Sequence, residues 1–144
     1  MPKPQPLAPA LEFMRLLWDL DNHLQSASKR MADELGVTGP QRLAIRMIGL
    51  HPSLTATELA DHLHLHKSTV TGVVARLEKR RLIKRTADPT DGRVHHFTLT
   101  GQGQQLNRQK AGTIEARVAA ALETMAERDL VAARRVLARL AAAL

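Results

Sequence analysis

Apolar positions recur at helical spacing along most of the chain, and short β-rich runs occur in only one region. Six helices are predicted: Leu7 to Leu35, Pro40 to Leu50, one opened by Thr55, one containing Val70, one of about 25 residues after Thr100, and one near the C-terminus. Between the fourth and fifth helices, the runs Leu82 to Thr86 and Val94 to Leu99 flank "ADPTDG", whose Asp-Pro and Asp-Gly pairs favour a turn. This order predicts a mainly α fold with a β-hairpin wing, a winged helix-turn-helix between terminal helices.

Each of the short helices has a predicted buried face. Thr55 with Glu58 three residues later forms a capping box at the start of the third helix. The inward positions of the third helix are Leu59, Ala60 and Leu63, and those of the second are Leu43, Ala44, Met47 and Ile48.

The segment "HLHLHKSTVTGVVARLEKRRLIKR" contains the most informative helix. One stripe of it is apolar at i, i+3, i+4 and i+7: Val70, Val73, Val74 and Leu77. The opposite face is small or polar, with Ser68, Gly72, Ala75 and Lys79 between Thr71 and Arg76. A glycine inside a helix costs about 1 kcal/mol relative to alanine, so this face favours close approach by a polar, negatively charged partner such as the major groove of DNA. An exposed face without a ligand is the alternative.

Charge supports a polyanionic partner. The 144 residues carry 21 Lys and Arg against 14 Asp and Glu, a net charge of +7. Seven cations and one acid lie between Lys67 and Arg85, as expected of phosphate contacts. The absence of cysteine excludes disulfides and thiolate metal sites. No apolar run is long enough to span a membrane and the N-terminus lacks the apolar core of a signal peptide, so we expect a cytoplasmic protein.

The terminal helices are more apolar than so small a DNA-binding module requires. In the last helix Ala126, Leu130, Ala133, Leu137, Leu140 and Leu144 recur at alternating intervals of four and three, as in a coiled-coil seam. We therefore predict a homodimer with Leu7, Leu11, Met14, Leu130, Leu137 and Leu140 buried between the chains. The predicted division is a dimerisation helix in 1–37, a DNA-binding domain in 38–100 and dimerisation helices in 101–144.

The run "LTATELADHLHLHKSTVTGVVARLEKRRLIKRTADPTDGRVHHFTLTGQG" resembles the MarR (multiple antibiotic resistance regulator) family of bacterial repressors. The most specific piece is Asp91-Gly92-Arg93 followed by Leu99-Thr100. The resemblance implies a dimer based on the first and last helices, with Arg93 entering the minor groove from the wing and Asp91 orienting a neighbouring arginine. With the exposed helix face, it gives these predicted DNA-binding residues: Thr55, Lys67, Ser68, Thr69, Thr71, Gly72, Arg76, Lys79, Asp91 and Arg93.

Three positions depart from the family pattern. Gly72 stands where the family often has an arginine, so base readout is expected to rest on Thr71, Arg76 and the wing. Arg81 replaces a usual glycine after the recognition helix, which predicts either strain or a different helix end. His66 replaces the usual Ser or Thr cap and caps poorly.

Other motifs carry less weight. His62, His64 and His66 straddle a helix end, where their rings diverge, so we interpret them as surface or phosphate-facing residues and expect neither a metal nor a cofactor. His95 and His96 point to opposite faces of a strand, one towards DNA and the other structural. "GQGQQL" lacks the βαβ context of a dinucleotide site, and no nucleophile–base pair or carboxylate pair supports an enzyme.

Trp18, the single tryptophan, has two interpretations. It anchors the core or the dimer interface, or it forms a wall of an effector pocket, because the resembling family binds aromatic and often anionic molecules between the dimer base and the winged domain. Candidate polar partners in such a pocket are His23, Arg42 and Arg46.

The sequence thus predicts a homodimeric repressor of a palindromic operator, released by a small aromatic or phenolic acid. One alternative is a regulator without a ligand, governed by its own concentration. Another is a nonspecific, nucleoid-type protein that coats DNA.

Overall fold

The structure, a computed structural model, describes residues 1, 5, 6 and 8–144. These form two compact units, 1–109 and 110–144. Leu7, a predicted dimerisation residue, lies outside the described residues. Over the described residues, no helix combines the length and apolarity needed to cross a membrane.

The first unit contains five helices and a three-stranded sheet. The helices are α1 (Pro9–Leu35), α2 (Gly39–Leu50), α3 (Ala56–Leu63), α4 (Lys67–Lys79) and α5 (Gly101–Arg108). The strands β1 (Leu54–Thr55), β2 (Ile83–Ala87) and β3 (His95–Leu99) form an antiparallel sheet in the order β1-β3-β2. The second unit contains α6 (Ile114–Leu122) and α7 (Glu127–Ala143). The predicted mainly α fold with a β-hairpin wing is confirmed.

Side-chain caps begin the helices where the sequence indicated. Thr55 accepts a hydrogen bond from the Glu58 amide (3.2 Å), and Glu58 accepts one from the Thr55 amide (2.8 Å), which confirms the capping box. Thr38 forms a second capping box with Gln41 at the start of α2. The Thr100 hydroxyl accepts from the Gly103 amide at the start of α5.

One hydrophobic core joins α2, α3, α4 and the sheet. The predicted stripe of α4 is buried, as are the predicted inward residues of α3. The core comprises Val37, Ala44, Ile45, Ile48, Leu54, Leu59, Ala60, Leu63, Val70, Val73, Val74, Leu77, Leu82, Ile83 and Phe97. Burying one such Val, Leu, Ile or Phe side chain contributes about 1.5–3 kcal/mol, so α4 is anchored along its whole inner face.

The predicted inner face of α2 was partly wrong. Leu43 is 45% exposed, whereas Ile45, which was not predicted, is fully buried. The inner face is rotated because Arg42 is also buried and donates hydrogen bonds to the carbonyls of Leu106 and Gln109. In the sequence, an arginine looks like a surface residue even when hydrogen-bond acceptors allow it to be buried. The predicted apolar stripe of α2 was therefore assigned to the wrong positions.

The predicted helix of about 25 residues after Thr100 was also wrong, because the chain breaks between α5 and α6. Gly112 adopts a left-handed φ of 78°, which a continuing helix does not allow. Thr113 then caps α6 by accepting from the Ala116 amide (3.3 Å). The last carbonyls of α5 are satisfied by Arg42 and by Arg46, which donates to the carbonyl of Asn107 (3.1 Å).

The residue after the recognition helix adopts the strained conformation that the sequence raised as one possibility. Arg81 has φ of +58°, the left-handed region that favours glycine. The amides of Arg81 and Leu82 bond to the carbonyls of Glu78 (2.8 Å) and Leu77 (3.0 Å), which closes the end of α4. The Thr100 hydroxyl donates to the Arg81 carbonyl (2.6 Å) and helps to hold the turn.

Candidate nucleic-acid interface

The outer face of α4 is exposed along its length. The predicted residues Lys67, Ser68, Thr69, Thr71, Gly72, Arg76 and Lys79 all lie on this exposed surface. Apart from its two chain neighbours and the adjoining backbone of α4, no described atom lies within 4 Å of a Cβ built on Gly72, so the space in front of it is open. A rigid helix with small and cationic residues outward can enter the major groove, which admits an α-helix.

Polar groups at the start of α4 have defined hydrogen-bonding capacity. Within the described part of the chain, His66 makes no side-chain cap, as expected, so the first amides of α4 have no acceptor from the N-cap side chain. Such amides favour a phosphate. The Thr71 hydroxyl donates to the Lys67 carbonyl (2.9 Å). Thr71 can therefore offer DNA a lone pair or its methyl group, but not its proton.

The tip of the wing is the turn between β2 and β3. One carboxylate oxygen of Asp88 accepts from the amide and hydroxyl of Thr90 (2.8 and 2.7 Å) and from the amide of Asp91 (3.1 Å). Asp91 in turn accepts from the amide and Nε of Arg93, both at 3.1 Å. The hydrogen bonds from Arg93 lower the pKa of Asp91.

Arg93 is exposed to solvent while its guanidinium bonds to Asp91. Its side chain is 91% exposed although Asp91 orients the guanidinium. An oriented cation at the tip of a turn suits a narrow minor groove, whose negative potential attracts arginine. The resemblance implied that Asp91 orients a neighbouring arginine, and in the structure Asp91 bonds to Arg93 itself.

The wing and the recognition helix enclose a cleft of about 280 Å³. Its lining combines hydroxyls, cations and apolar groups: Thr55, Ala56, Thr57, Thr71, Val74, Arg85, Arg93, Val94, His95 and Phe97. The structure therefore brings Thr55, Thr71 and Arg93 from the predicted set to one cavity. The hydroxyl of Thr55 already serves the capping box.

Arg85 connects the two DNA-facing elements, a role that the sequence did not reveal. From β2 it donates two hydrogen bonds to one carboxylate oxygen of Glu78 on α4 (2.7 and 3.1 Å). Its guanidinium also lies 5.7 Å from the centre of the Phe97 ring, within cation–π range. In the sequence Arg85 was one of seven clustered cations, and nothing distinguished it as one that bonds to other residues of the protein.

The candidate effector residues occupy two different environments. Trp18 is 62% exposed on α1, and His23 is exposed on the same helix with Nδ1 2.8 Å from the Asp19 carbonyl. Arg42 is only 3% exposed and Arg46 bonds to Asn107, both turned to the end of α5. Within a single chain, Trp18 therefore does not belong to the hydrophobic core.

The histidines divide as the spacing suggested. His95 lines the cleft, whereas His96 bonds within the protein. Among the described residues, no group of three or more His, Asp or Glu side chains is arranged to hold a metal ion.

These elements form a winged helix. They are helix α3, the recognition helix α4 with its open outer face, and the β2–β3 turn with its exposed arginine. Comparisons with known proteins identify which kind. The MarR family model matches residues 35–94. An HTH-type transcriptional repressor of Mycobacterium tuberculosis is 31% identical over 98 residues, which are 66% of this chain and 70% of that protein.

Solved structures share the fold over almost the whole chain. A crystal structure of MepR from S. aureus in complex with DNA matches with a TM-score of 0.79 at 17% identity, over 91% of this chain and 96% of that one. The PcaV transcriptional regulator from Streptomyces coelicolor, in complex with its natural ligand, matches with a TM-score of 0.76 at 23% identity over 99% of both chains.

This chain belongs to the MarR family. Its homologues are DNA-binding transcriptional regulators and repressors, not enzymes.

Proposed function

We propose that the protein is a homodimeric repressor that reads a palindromic operator with two copies of α4 and the wing, and that a small aromatic or phenolic acid releases it. The observation that carries the DNA-binding part is the convergence of the open face of α4 and the oriented, exposed Arg93 on one cleft. MepR in its DNA complex and PcaV with its ligand, two proteins of the same fold, support the two kinds of partner.

Exposed apolar residues on the terminal helices support the dimer. On α1 these include Leu11 and Met14, and on α7 they include Leu137. Large apolar side chains exposed along a helix are typical of a surface that a partner covers, and a second copy of the same helices would supply that partner. We therefore propose that 1–37 and 101–144 assemble the dimer and that 38–100 reads DNA.

The DNA-binding proposal is tested by selecting duplexes from a random pool with the purified protein and sequencing what is retained. We expect a palindrome whose half-sites lie about 10 bp apart, one helical turn. Arg76→Ala should relax the sequence preference by about 1–3 kcal/mol at one position of each half-site. Lys79→Ala should instead weaken binding to all sequences alike and reduce the salt slope by about one unit.

Two results would oppose this proposal. If Lys79→Ala changed the preference and Arg76→Ala did not, the orientation of α4 in the groove would be different from the one proposed. If the retained duplexes stayed random, the protein would be a nonspecific coating protein.

The effector proposal is tested through the fluorescence of Trp18, which no tyrosine obscures. Benzoate-like or phenolic acids should change its emission saturably and lower the affinity for the operator. By reciprocity, the operator must weaken the acid by the same factor. His23→Ala should reduce the effect, whereas a substitution at Lys29, a solvent-exposed cation on the same helix, should not.

A panel of such acids that changed neither the fluorescence nor the DNA affinity would favour the alternative of a regulator without a ligand. The DNA-binding proposal would then stand by itself, since it depends on α4 and the wing alone.

A further inference from the structure

The ring of His96 is fixed at both nitrogens. Nε2 lies 2.8 Å from a carboxylate oxygen of Asp88, and Nδ1 lies 2.8 Å from the carbonyl oxygen of Ser53. The two partners come from opposite sides of β3: Asp88 follows β2, and Ser53 precedes β1. His96 therefore connects both neighbouring segments of the sheet to the central strand.

Both acceptors require a proton from the ring. A backbone carbonyl only accepts a hydrogen bond, and so does an ionised carboxylate. Neutral imidazole has one N–H, so both bonds can form only when the ring is the doubly protonated imidazolium. The geometry thus selects the charged form of His96.

The electrostatic surroundings agree with this assignment. The hydrogen bond to Asp88, followed by the bond to the Ser53 carbonyl, raises the pKa of His96, and the negative charges of Asp88 and Glu58 act in the same direction. On β2, Thr86 lies opposite His96, and Lys84 is two residues further along that strand, opposite Thr98. The bonds from Thr90 and His96 hold the pKa of Asp88 well below its ordinary value, so Asp88 stays ionised.

Asp88 transmits the position of His96 to the tip of the wing. One of its carboxylate oxygens bonds to His96, and the other accepts hydrogen bonds from the Thr90 hydroxyl and from the amides of Thr90 and Asp91. The next residue pair in the turn is Asp91 with Arg93, which Asp91 orients. A continuous series of hydrogen bonds therefore runs from the Ser53 turn through His96 and Asp88 to the arginine at the tip.

We propose that His96, as an imidazolium, is a positioning residue that holds the wing tip and its Arg93 in place for DNA, and that it makes the wing contact dependent on pH. This inference rests on the proposed DNA-binding function. The two hydrogen bonds are complete at low pH, where the ring is charged. One of the two bonds is lost as pH rises through the raised pKa of His96, because the neutral ring keeps a single N–H.

The test measures the affinity for the selected operator between pH 6 and 8.5 at constant ionic strength. The unmodified protein should lose affinity as pH rises, by about three- to tenfold, since a loosened Arg93 loses part of its contact with DNA. His96→Gln cannot become charged, and it should bind at every pH about as weakly as the unmodified protein does at high pH. His51→Gln, which removes an exposed histidine between α2 and β1 that is not among the proposed DNA-binding residues, is the matched control and should retain the unmodified pH profile.

Two further variants separate positioning from a general loss of structure. Asp88→Asn removes the charge that favours the imidazolium and should move the midpoint of the pH profile to lower pH. In an Arg93→Ala background, His96→Gln should have no additional effect, because His96 acts through Arg93. Nitrogen NMR of the unmodified protein should show His96 titrating above the ordinary histidine range, and this needs no variant.

The outcomes distinguish this inference from the function on which it rests. If Arg93→Ala binds the operator like the unmodified protein, the wing does not contribute: the inference fails, while the reading of the operator by α4 stands. If Arg93→Ala weakens binding but His96→Gln keeps the unmodified pH profile, only the inference is overturned. An ordinary or lowered titration of His96 would overturn it as well, whatever the variants do.

Discussion

Replacing Leu137 by aspartate should convert the protein to a monomer and weaken operator binding by about a thousandfold or more. Leu137 is 48% exposed on α7 and belongs to the seam that we propose to be shared between two chains. A carboxylate there would be buried twice in the dimer, at a cost far above the loss of the leucine contact. A monomer retains one half-site, and specific affinities of about 10⁻⁸–10⁻¹¹ M require both. Sedimentation equilibrium and a DNA titration on the same sample measure the two effects.

Arg135→Asp is the matched control for this variant. Arg135 lies two positions earlier on α7, on the opposite side of the helix, and is exposed. The Arg135→Asp variant should remain dimeric and lose little affinity for DNA. Sedimentation of the unmodified protein as a monomer at micromolar concentration would remove the dimer from the mechanism.

Replacing Arg42 by alanine should lower the free energy of unfolding by about 3 kcal/mol. The guanidinium is buried between α2 and the end of α5, where it donates to the carbonyls of Leu106 and Gln109. Alanine would leave these carbonyls without a charged donor and would open a cavity beside the core. Urea denaturation at one fixed protein concentration measures the change, because the stability of a dimer depends on concentration.

Arg30→Ala serves as the comparison, since Arg30 is an exposed arginine of α1. It should be nearly neutral. If Arg42→Ala were equally neutral, the buried hydrogen bonds would not stabilise the junction of α2 and α5, and a role of Arg42 in binding an effector would gain weight.

The elements of the DNA-binding module were predictable because local signals determine them. The stripe Val70, Val73, Val74 and Leu77 has one strict period, and a helix with that period has only one way to bury it. The capping box of Thr55 and Glu58 involves residues three apart. For the end of α4 the sequence left two possibilities, strain at Arg81 or a different helix end, and the structure has the first.

Long-range contacts explain what the sequence did not predict. The inner face of α2 depends on an arginine that finds its acceptors more than sixty residues later. The break before α6 depends on the same acceptors together with Gly112 and Thr113. Neither pattern has a local signature strong enough to override the helical period around it.

The sequence predicted which residues belong to the candidate site better than it predicted the contacts between them. Helical spacing separated the exposed residues of α4 from the buried ones, and the turn residues indicated the wing tip. The contacts of Arg85 with Glu78 and of His96 with Asp88 depend on how β2 and β3 pair, and the sequence does not determine that register.

The open space in front of Gly72 has a consequence for how related repressors diverge. Beyond the adjoining residues of α4, no described group lies within 4 Å of a Cβ at this position, and an exposed helical glycine is about 1 kcal/mol less favourable than alanine. New side chains can therefore appear there without loss of stability, whereas most mutations elsewhere are destabilising. If α4 reads DNA as we propose, a single codon change at position 72 would place a new side chain on the reading face with no compensating change in the rest of the protein.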